Sequence, residues 1–410
     1  MKIIYLVHQF YPEFYTGTEK FVLNIAKMSQ RNQMQVKVIT YSFNPIEQFD
    51  ESYGNFVFRR YVHEGIPVIA FRHLEIPPHI HYEIVNEEMN DFSEHILKEE
   101  NPDLIHVGHP MRVGGFIAAA QRLDIPYTLT LTDFYFMCPK CILLRPNFDL
   151  CDSPKEGLAC QAHCGEIPVE KERRAKALRL LTPAQGIYAP SQFVASMINK
   201  EYPGINVQVI NHGMSYGKIK KNKRVYRSGD HLTFFYGGAL TVHKGVHLII
   251  EAFTKIKSDR ISLNIYGSSH TPDYMNRLKS MAENDSRITF CGVYTENDVS
   301  RIYSETDVAI VPSIWYENYP LALHEALASN IPLIVTNLGG MSEKIIDGHN
   351  GYTFGIGNAD ELREAIEKLV EMPEKLNELK DNIKKFMIPT IEQEAFIYER
   401  IYKAIAKKKC

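Results

Sequence analysis

The sequence predicts an α/β chain of two doubly wound domains, and three observations carry that expectation. Short, almost continuous apolar runs recur along the 410 residues, as at 2–7, 103–108, 231–236 and 307–312. Runs of this kind suit strands buried on both faces of a parallel sheet. Each runs into a loop rich in glycine, proline or polar residues, and most of these loops feed a segment with apolar residues at helical spacing. A basic, aperiodic stretch at 218–227 then breaks the rhythm and reads as a linker. The expected division is residues 1–213 with a tail helix over 391–410, and residues 214–390.

Composition narrows the function classes. A hydrophobic content of 45% and a charged content of 23% are ordinary for a globular enzyme. A net charge of −3 argues against nucleic acid as the main partner. The first apolar run is too short for a signal peptide, and no run has the length of a membrane span. A cytoplasmic location is expected, with peripheral contact at the inner membrane face as an option for the basic amphipathic helix at 169–181. A plain solvated face is the other reading of that helix. Of seven cysteines, five lie between Cys138 and Cys164. Without an export signal, such a cluster reads as a metal site rather than a disulfide set.

In chain order, the first strand, 2–7, leads through a loop holding Gly17, Thr18 and Glu19 into a helix at 20–28. Strands follow at 36–41, 57–62 and 66–71, and an amphipathic helix at 83–100. The strand at 103–108 delivers His109 to its carboxyl end, and a helix starts at Gly114. The strand at 126–132 ends in Thr132 and Asp133, just before the cysteine-rich segment 138–164. A strand at 186–189, a helix capped by Ser191 and a strand at 207–210 complete the first half. The second half opens with the strand 231–236, the loop Gly237, Gly238, Ala239, Lys244, Gly245 and a helix from Val246. Strands at 262–267, 288–293, 307–312 and 332–336 follow, then a glycine turn at Gly339 and Gly340 into a helix near Glu343. A helix at 362–379 precedes the tail.

The most informative stretch is 313–332. A buried strand gives way to a tight loop with Glu317, Asn318 and Tyr319, then to a helix over 321–328 carrying Glu325 near its second turn. Pro320 suits the first turn of that helix, with Asn318 or Tyr319 at the cap. Free N–H groups at a helix start favour anions, while carboxylates accept hydrogen bonds from hydroxyls. A ligand with both phosphates and hydroxyls fits, such as a sugar nucleotide. Lys244 supplies a cation for a diphosphate.

The two glutamates eight apart, in this strand–loop–helix, resemble the signature of glycosyltransferase family four, whose members are retaining enzymes of GT-B fold. The resemblance runs through nearly the whole chain and is strongest over 231–355. It implies two Rossmann-like domains facing across a cleft, the first presenting an acceptor and the second holding a nucleoside-diphosphate sugar. It also implies roles. Glu317 binds donor-sugar hydroxyls, the Asn318, Tyr319, Pro320 and Leu321 backbone meets sugar and phosphate, and Glu325 takes the ribose. The backbone at Val293 meets the base, and Gly17, Thr18, Gly238 and Lys244 approach the phosphates. Asp133 orients sugar hydroxyls. Catalysis is expected to rest on Glu317, Lys244 and Asp133.

The chain departs from the family pattern at three positions. Thr18 replaces a second glycine, Thr132 a histidine and Ala239 an arginine, so one bidentate phosphate partner is missing. The cysteine segment resembles an insert of some family-four enzymes at Cys138, Cys151, Cys160 and Cys164; a structural zinc is expected there, with Cys141 as a substitute for Cys138, and an iron–sulfur cluster or free thiols are the other readings. No Asp-x-Asp occurs, so neither a catalytic metal nor an organic cofactor is expected. The implied acceptor is a sugar, polysaccharide or lipid-linked hydroxyl. Two other uses of such a fold are an epimerase or phosphorylase-like enzyme and a non-catalytic nucleotide-sugar binder.

Overall fold

The computed structural model describes residues 1–165, 172–215, 219–269 and 271–408. Two compact units divide the chain: Met1–His212 with the C-terminal segment from Ile391, and Gly213–Thr390.

The first unit is a nine-stranded sheet. Its strands are β1 (Lys2–Val7), β2 (Gln35–Tyr41), β3 (Glu51–Tyr53), β4 (Phe56–His63), β5 (Ile66–His73), β6 (Leu104–Val107), β7 (Tyr127–Thr130), β8 (Gly186–Ala189) and β9 (Val207–Val209). Their order is β3-β4-β5-β2-β1-β6-β7-β8-β9. All neighbours run parallel except at the β3-β4-β5 edge, where an antiparallel meander closes the sheet. β1 pairs with β2 on one side and β6 on the other. The chain therefore reverses its winding direction at β1, and the loops after β1 and β6 diverge there. Ligands of open α/β sheets bind at such a point, beyond the carboxyl ends of the strands.

The second unit is a six-stranded, all-parallel sheet. It comprises β10 (Leu232–Gly237), β11 (Ile261–Tyr266), β12 (Ile288–Gly292), β13 (Val308–Val311), β14 (Leu333–Thr336) and β15 (Gly351–Phe354), in the order β12-β11-β10-β13-β14-β15. Here the winding reverses between β10 and β13. Helices such as Val246–Lys255 and Ala359–Glu371 bury Ile249, Phe253, Leu362 and Ile366 against one face of this sheet. Leu323, Leu327 and Tyr303 form a second apolar cluster with Val311 and Leu333. Both strand faces are thus covered, which is why the strands read as continuous apolar runs.

The C-terminal helix, Ile391–Lys408, packs in the first unit. Its Tyr398 and Tyr402 are fully buried beside Tyr5, Phe21 and Tyr188. The Tyr402 hydroxyl bonds His106 Nδ1, and Tyr398 bonds the Thr130 hydroxyl at 2.8 Å. Glu394 reaches His212 Nδ1 at 2.8 Å. The helix is thereby tied to residues of β6 and β7 and to His212, where the N-terminal part of the unit ends.

Several expected elements are shifted. The helix expected at 83–100 begins only at Asn90, after a single 3-10 turn, Glu87–Met89. The apolar residues Ile84 and Val85 that suggested a longer helix lie in the loop, and the Ile84 and Val85 backbone lies against Gly114. No helix follows Gly340; a 3-10 turn, Gly339–Met341, leads through further turns to β15. The helix expected at 362–379 is two, Ala359–Glu371 and Lys375–Ile383, because Pro373 cannot continue the first. Pro320 stands at the cap of its helix with extended backbone, not inside the first turn. Part of the basic helix expected at 169–181 lies outside the described residues, and the described portion is Arg173–Leu181.

Tyr398→Ala should remove a buried ring and its bond to Thr130. The expected loss is about 3–5 kcal/mol, read as a lower urea midpoint for the full chain.

Candidate active site

In the second unit the site is assembled by the two loops that diverge between β10 and β13. After β10 the chain passes Gly238, turns through a 3-10 segment, Val242–Lys244, and enters the helix Val246–Lys255 at Gly245. Gly245 has φ +72°, and a Cβ there would lie 2.0 Å from the Pro312 carbonyl oxygen. Only glycine fits, because the backbone is left-handed and pressed against the end of β13. The Ile314 N–H donates to the His243 carbonyl at 2.9 Å, locking the two loops together.

That packing sets Lys244 against Glu317. The ammonium donates to Glu317 Oε1 at 2.6 Å. The Ser313 hydroxyl and the Trp315 indole N–H donate to the same oxygen, at 2.6 and 2.9 Å. The Lys244 ammonium also lies 4.9 Å from the centroid of the Trp315 ring, a cation–π contact. Glu317 is 5% exposed. Burial pushes its carboxyl up, but the Lys244 charge and the three donors outweigh that and hold it below the ordinary value. The loop is fixed from the other side by Gly340, whose N–H donates to the Glu317 carbonyl at 2.9 Å. A Cβ on Gly340 would sit 2.5 Å from the Asn318 carbonyl oxygen.

Glu325 lies on the helix Leu321–Ala328 and accepts from the Tyr303 hydroxyl at 3.2 Å. Tyr319 stacks on His324 with ring centroids 3.5 Å apart. Asn318, Pro320 and Leu321 are half-buried along the loop and first turn, where helix N–H groups have no intrahelical partner. Val293 is exposed just beyond Gly292 at the end of β12. Lys244, Gly238, Val293, Glu317–Leu321 and Glu325 thus all stand at one end of this unit's sheet.

The first unit has its own cluster where β1 and β6 diverge. His8 follows β1 and His109 follows β6, with ring centroids 4.0 Å apart. His109 Nε2 donates to Asp133 Oδ2 at 2.6 Å, and its Nδ1 accepts from the Met111 N–H at 3.2 Å. Asp133 Oδ1 accepts from the Tyr135 N–H at 2.8 Å. Thr132 accepts from the Thr18 hydroxyl at 3.0 Å and donates to the Gly108 carbonyl. Gly17 opens the helix Gly17–Arg31, capped by a reciprocal Thr16–Glu19 box.

His109, Asp133 and Cys141 bring one ligand-type atom each to within 4.8 Å of one another. They are better read as a hydrogen-bonded set, since the Met111 N–H leaves the His109 proton on Nε2, pointing at Asp133. The Cys141 thiol is pushed well up by burial and then by the Asp133 charge. The four cysteines Cys138, Cys151, Cys160 and Cys164 are electrostatic neighbours. Burial, then the other three, push the Cys160 thiol up to about 11.

Two features escaped the sequence reading. Trp315 lay inside the stretch that mattered, and it is the only tryptophan of the chain. Arg112 left no sequence signal, because its position depends on a left-handed backbone, φ +63°.

Comparison with known proteins agrees with this layout. The profile of Glycosyltransferase Family 4 matches residues 15–216, and that of Glycosyl transferases group 1 matches residues 218–386. The chain belongs to glycosyltransferase family 4.

An uncharacterised glycosyltransferase of Methanocaldococcus jannaschii is 22% identical to this glycosyltransferase over 374 residues, covering 90% of this chain and 89% of the relative. Glycogen synthase of Mycobacterium tuberculosis is 26% identical over 283 residues, 66% of this chain and 61% of its own. Among solved structures, Anabaena HepE in complex with UDP and glucose matches with a TM-score of 0.68 at 16% identity, covering 100% of this chain and 99% of its own. Sucrose-phosphate synthase of Thermosynechococcus elongatus matches with a TM-score of 0.71 at 16% identity, covering 99% of each chain. The fold of this glycosyltransferase is GT-B. Among its described residues no helix is long and apolar enough to cross a membrane.

Because Glu317 is held below the ordinary carboxylate value, its contribution to stability is fully present above the unfolded value, about pH 4.5. It is lost as pH falls through the lower folded value. In Glu317→Gln the urea midpoint should therefore fall less steeply between about pH 6 and pH 3 than in the parent.

Proposed function

We propose that this glycosyltransferase moves a glycosyl unit from a nucleoside-diphosphate sugar to a hydroxyl acceptor, with retention at the anomeric carbon. The observation that carries the reading is the contact of Lys244 with the buried Glu317 at the ends of β10 and β13. A cation and a carboxylate side by side suit a ligand whose phosphates and hydroxyls are neighbours. In the reaction the bond from the anomeric carbon to the phosphate oxygen breaks, and its electron pair leaves on the diphosphate. The acceptor oxygen bonds the anomeric carbon and gives its proton to the leaving phosphate.

Lys244 and the N–H groups at the Asn318–Leu321 turn stabilise the developing negative charge, an electrostatic form of catalysis. Glu317 accepts from donor-sugar hydroxyls, and its Oε2 stands outside the cluster that occupies Oε1. Glu325 accepts from the ribose, and backbone at Val293 meets the base. Gly238 allows close approach of the phosphates. Asp133, fixed by His109 and Tyr135, orients a sugar hydroxyl. The acceptor belongs to polysaccharide or glycoconjugate synthesis, at or near the inner face of a membrane. A structural zinc on Cys138, Cys151, Cys160 and Cys164 would tether the insert; no step of the transfer passes through it. The UDP bound by HepE supports the donor class.

The test is a thermal-shift series with UDP, ADP, GDP, dTDP and CDP in the presence of EDTA. One diphosphate should raise the melting temperature of the full chain, and Lys244→Ala should weaken its binding about tenfold or more. Turnover of the corresponding nucleotide sugar should be lost in Glu317→Gln. A panel with no shift would favour a relic in which Ala239 has disabled the phosphate site.

A further inference from the structure

Arg112 is a buried guanidinium with no ion pair among the described residues; Glu19 acts on it only at longer range. The residue is 5% exposed. Its Nε is buried with no hydrogen-bond partner, and its Nη2 reaches only the Gln9 side-chain oxygen, at 3.5 Å. Among the described residues no carboxylate pairs with it. Burial pulls it down to about 10, which leaves it charged at neutral pH. It lies over the Phe43 ring at 4.9 Å and within 5.9 Å of Tyr41, and its backbone is left-handed, φ +63°. A desolvated charge and a strained non-glycine backbone both oppose folding. Stacking on aromatic rings offsets only part of that.

Its surroundings share the same deficit. His8 lies within electrostatic reach of Arg112; burial first, then His109 and Arg112, hold its ring well below the usual imidazole range, so it is neutral. His8 Nδ1 is buried with no partner, and so is Glu19 Oε1. Glu19 Oε1 stands 3.7 Å from His8 Nε2, while Oε2 is occupied by the Thr16 N–H and hydroxyl, both at 2.6 Å. Cys141 and His81 also feel the Arg112 charge. Three buried polar atoms on three residues therefore lack partners at one place: the reversal point between β1 and β6, beside the first turn of the 15-residue helix Gly17–Arg31. Buried polar groups are ordinarily satisfied, and a cluster that is not marks where something else supplies the partners.

We infer that Arg112, His8 and Glu19 form a binding site for an acceptor carrying an oxyanion beside a hydroxyl, that is, a phosphorylated or carboxylated sugar or polyol. The inference rests on the proposed transferase reading, in which the first unit receives the acceptor. The oxyanion takes the Arg112 fork, which matches phosphate and carboxylate geometry. A neighbouring hydroxyl donates to Glu19 Oε1 or His8 Nδ1.

The test is binding of methyl phosphate and of methyl glucuronide to the full chain in saturating UDP, which occupies the donor site. Either compound should raise the melting temperature further, and the one that does names the oxyanion. Arg112→Gln should weaken that binding about tenfold or more. Arg112→Lys, which keeps the charge and loses the fork, should fall between. The UDP shift itself should persist in both variants, which shows that they fold and that the donor site is intact. No added shift from either compound, a shift that UDP abolishes, or a shift unchanged in Arg112→Gln would each overturn the inference. Loss of the UDP shift in the parent protein would instead count against the transferase reading.

Discussion

The contact between the Lys244 ammonium and the Glu317 carboxylate is the interaction on which the second unit's site depends. Neither charge is placed there by its own loop alone. The β10 loop must press against the end of β13, which is why Gly245 has no room for a side chain. The β13 loop must be held open for Glu317 to turn inward, which the Gly340 N–H and the Ser313 and Trp315 donors accomplish. A carboxylate this buried is tolerated only because its donors are preorganised. The same preorganisation keeps a cation ready where a leaving diphosphate would develop charge.

The two units use one architectural rule in different ways. In each, winding reverses beside the first strand of the sheet, and loops from two neighbouring strands diverge. In the second unit opposite charges meet there and satisfy one another. In the first unit the His109–Asp133 pair is satisfied, while Arg112, His8 and Glu19 retain unpartnered atoms. A site that neutralises itself can wait for a ligand that exchanges one set of bonds for another. A site that does not has its missing partners in the ligand.

Much of the fold was legible because strands buried on both faces leave a plain apolar signature. The order of strand, glycine loop and helix located Lys244, Glu317 and Glu325 without any coordinates. What failed was local. Ile84 and Val85 matched a helical period but pack as loop residues under Gly114. Pro320 caps its helix because its backbone is extended there. Arg112 and Trp315 were invisible as partners: one depends on a left-handed turn, the other on a ring folded back beneath a lysine 71 residues earlier. Pairings across a sheet's strand ends are set by packing, which no local pattern records.

Trp315 offers the most direct measurement of the central claim, because it is the only tryptophan and touches both charges. Its fluorescence should be followed as UDP is added, with binding measured in parallel by calorimetry. If the diphosphate engages Lys244, the indole loses its cation neighbour or sees it shift, and the emission should change along the same saturation curve as the heat. Binding by calorimetry with the emission of Trp315 unchanged would contradict the account, since the diphosphate would then occupy some other part of the protein.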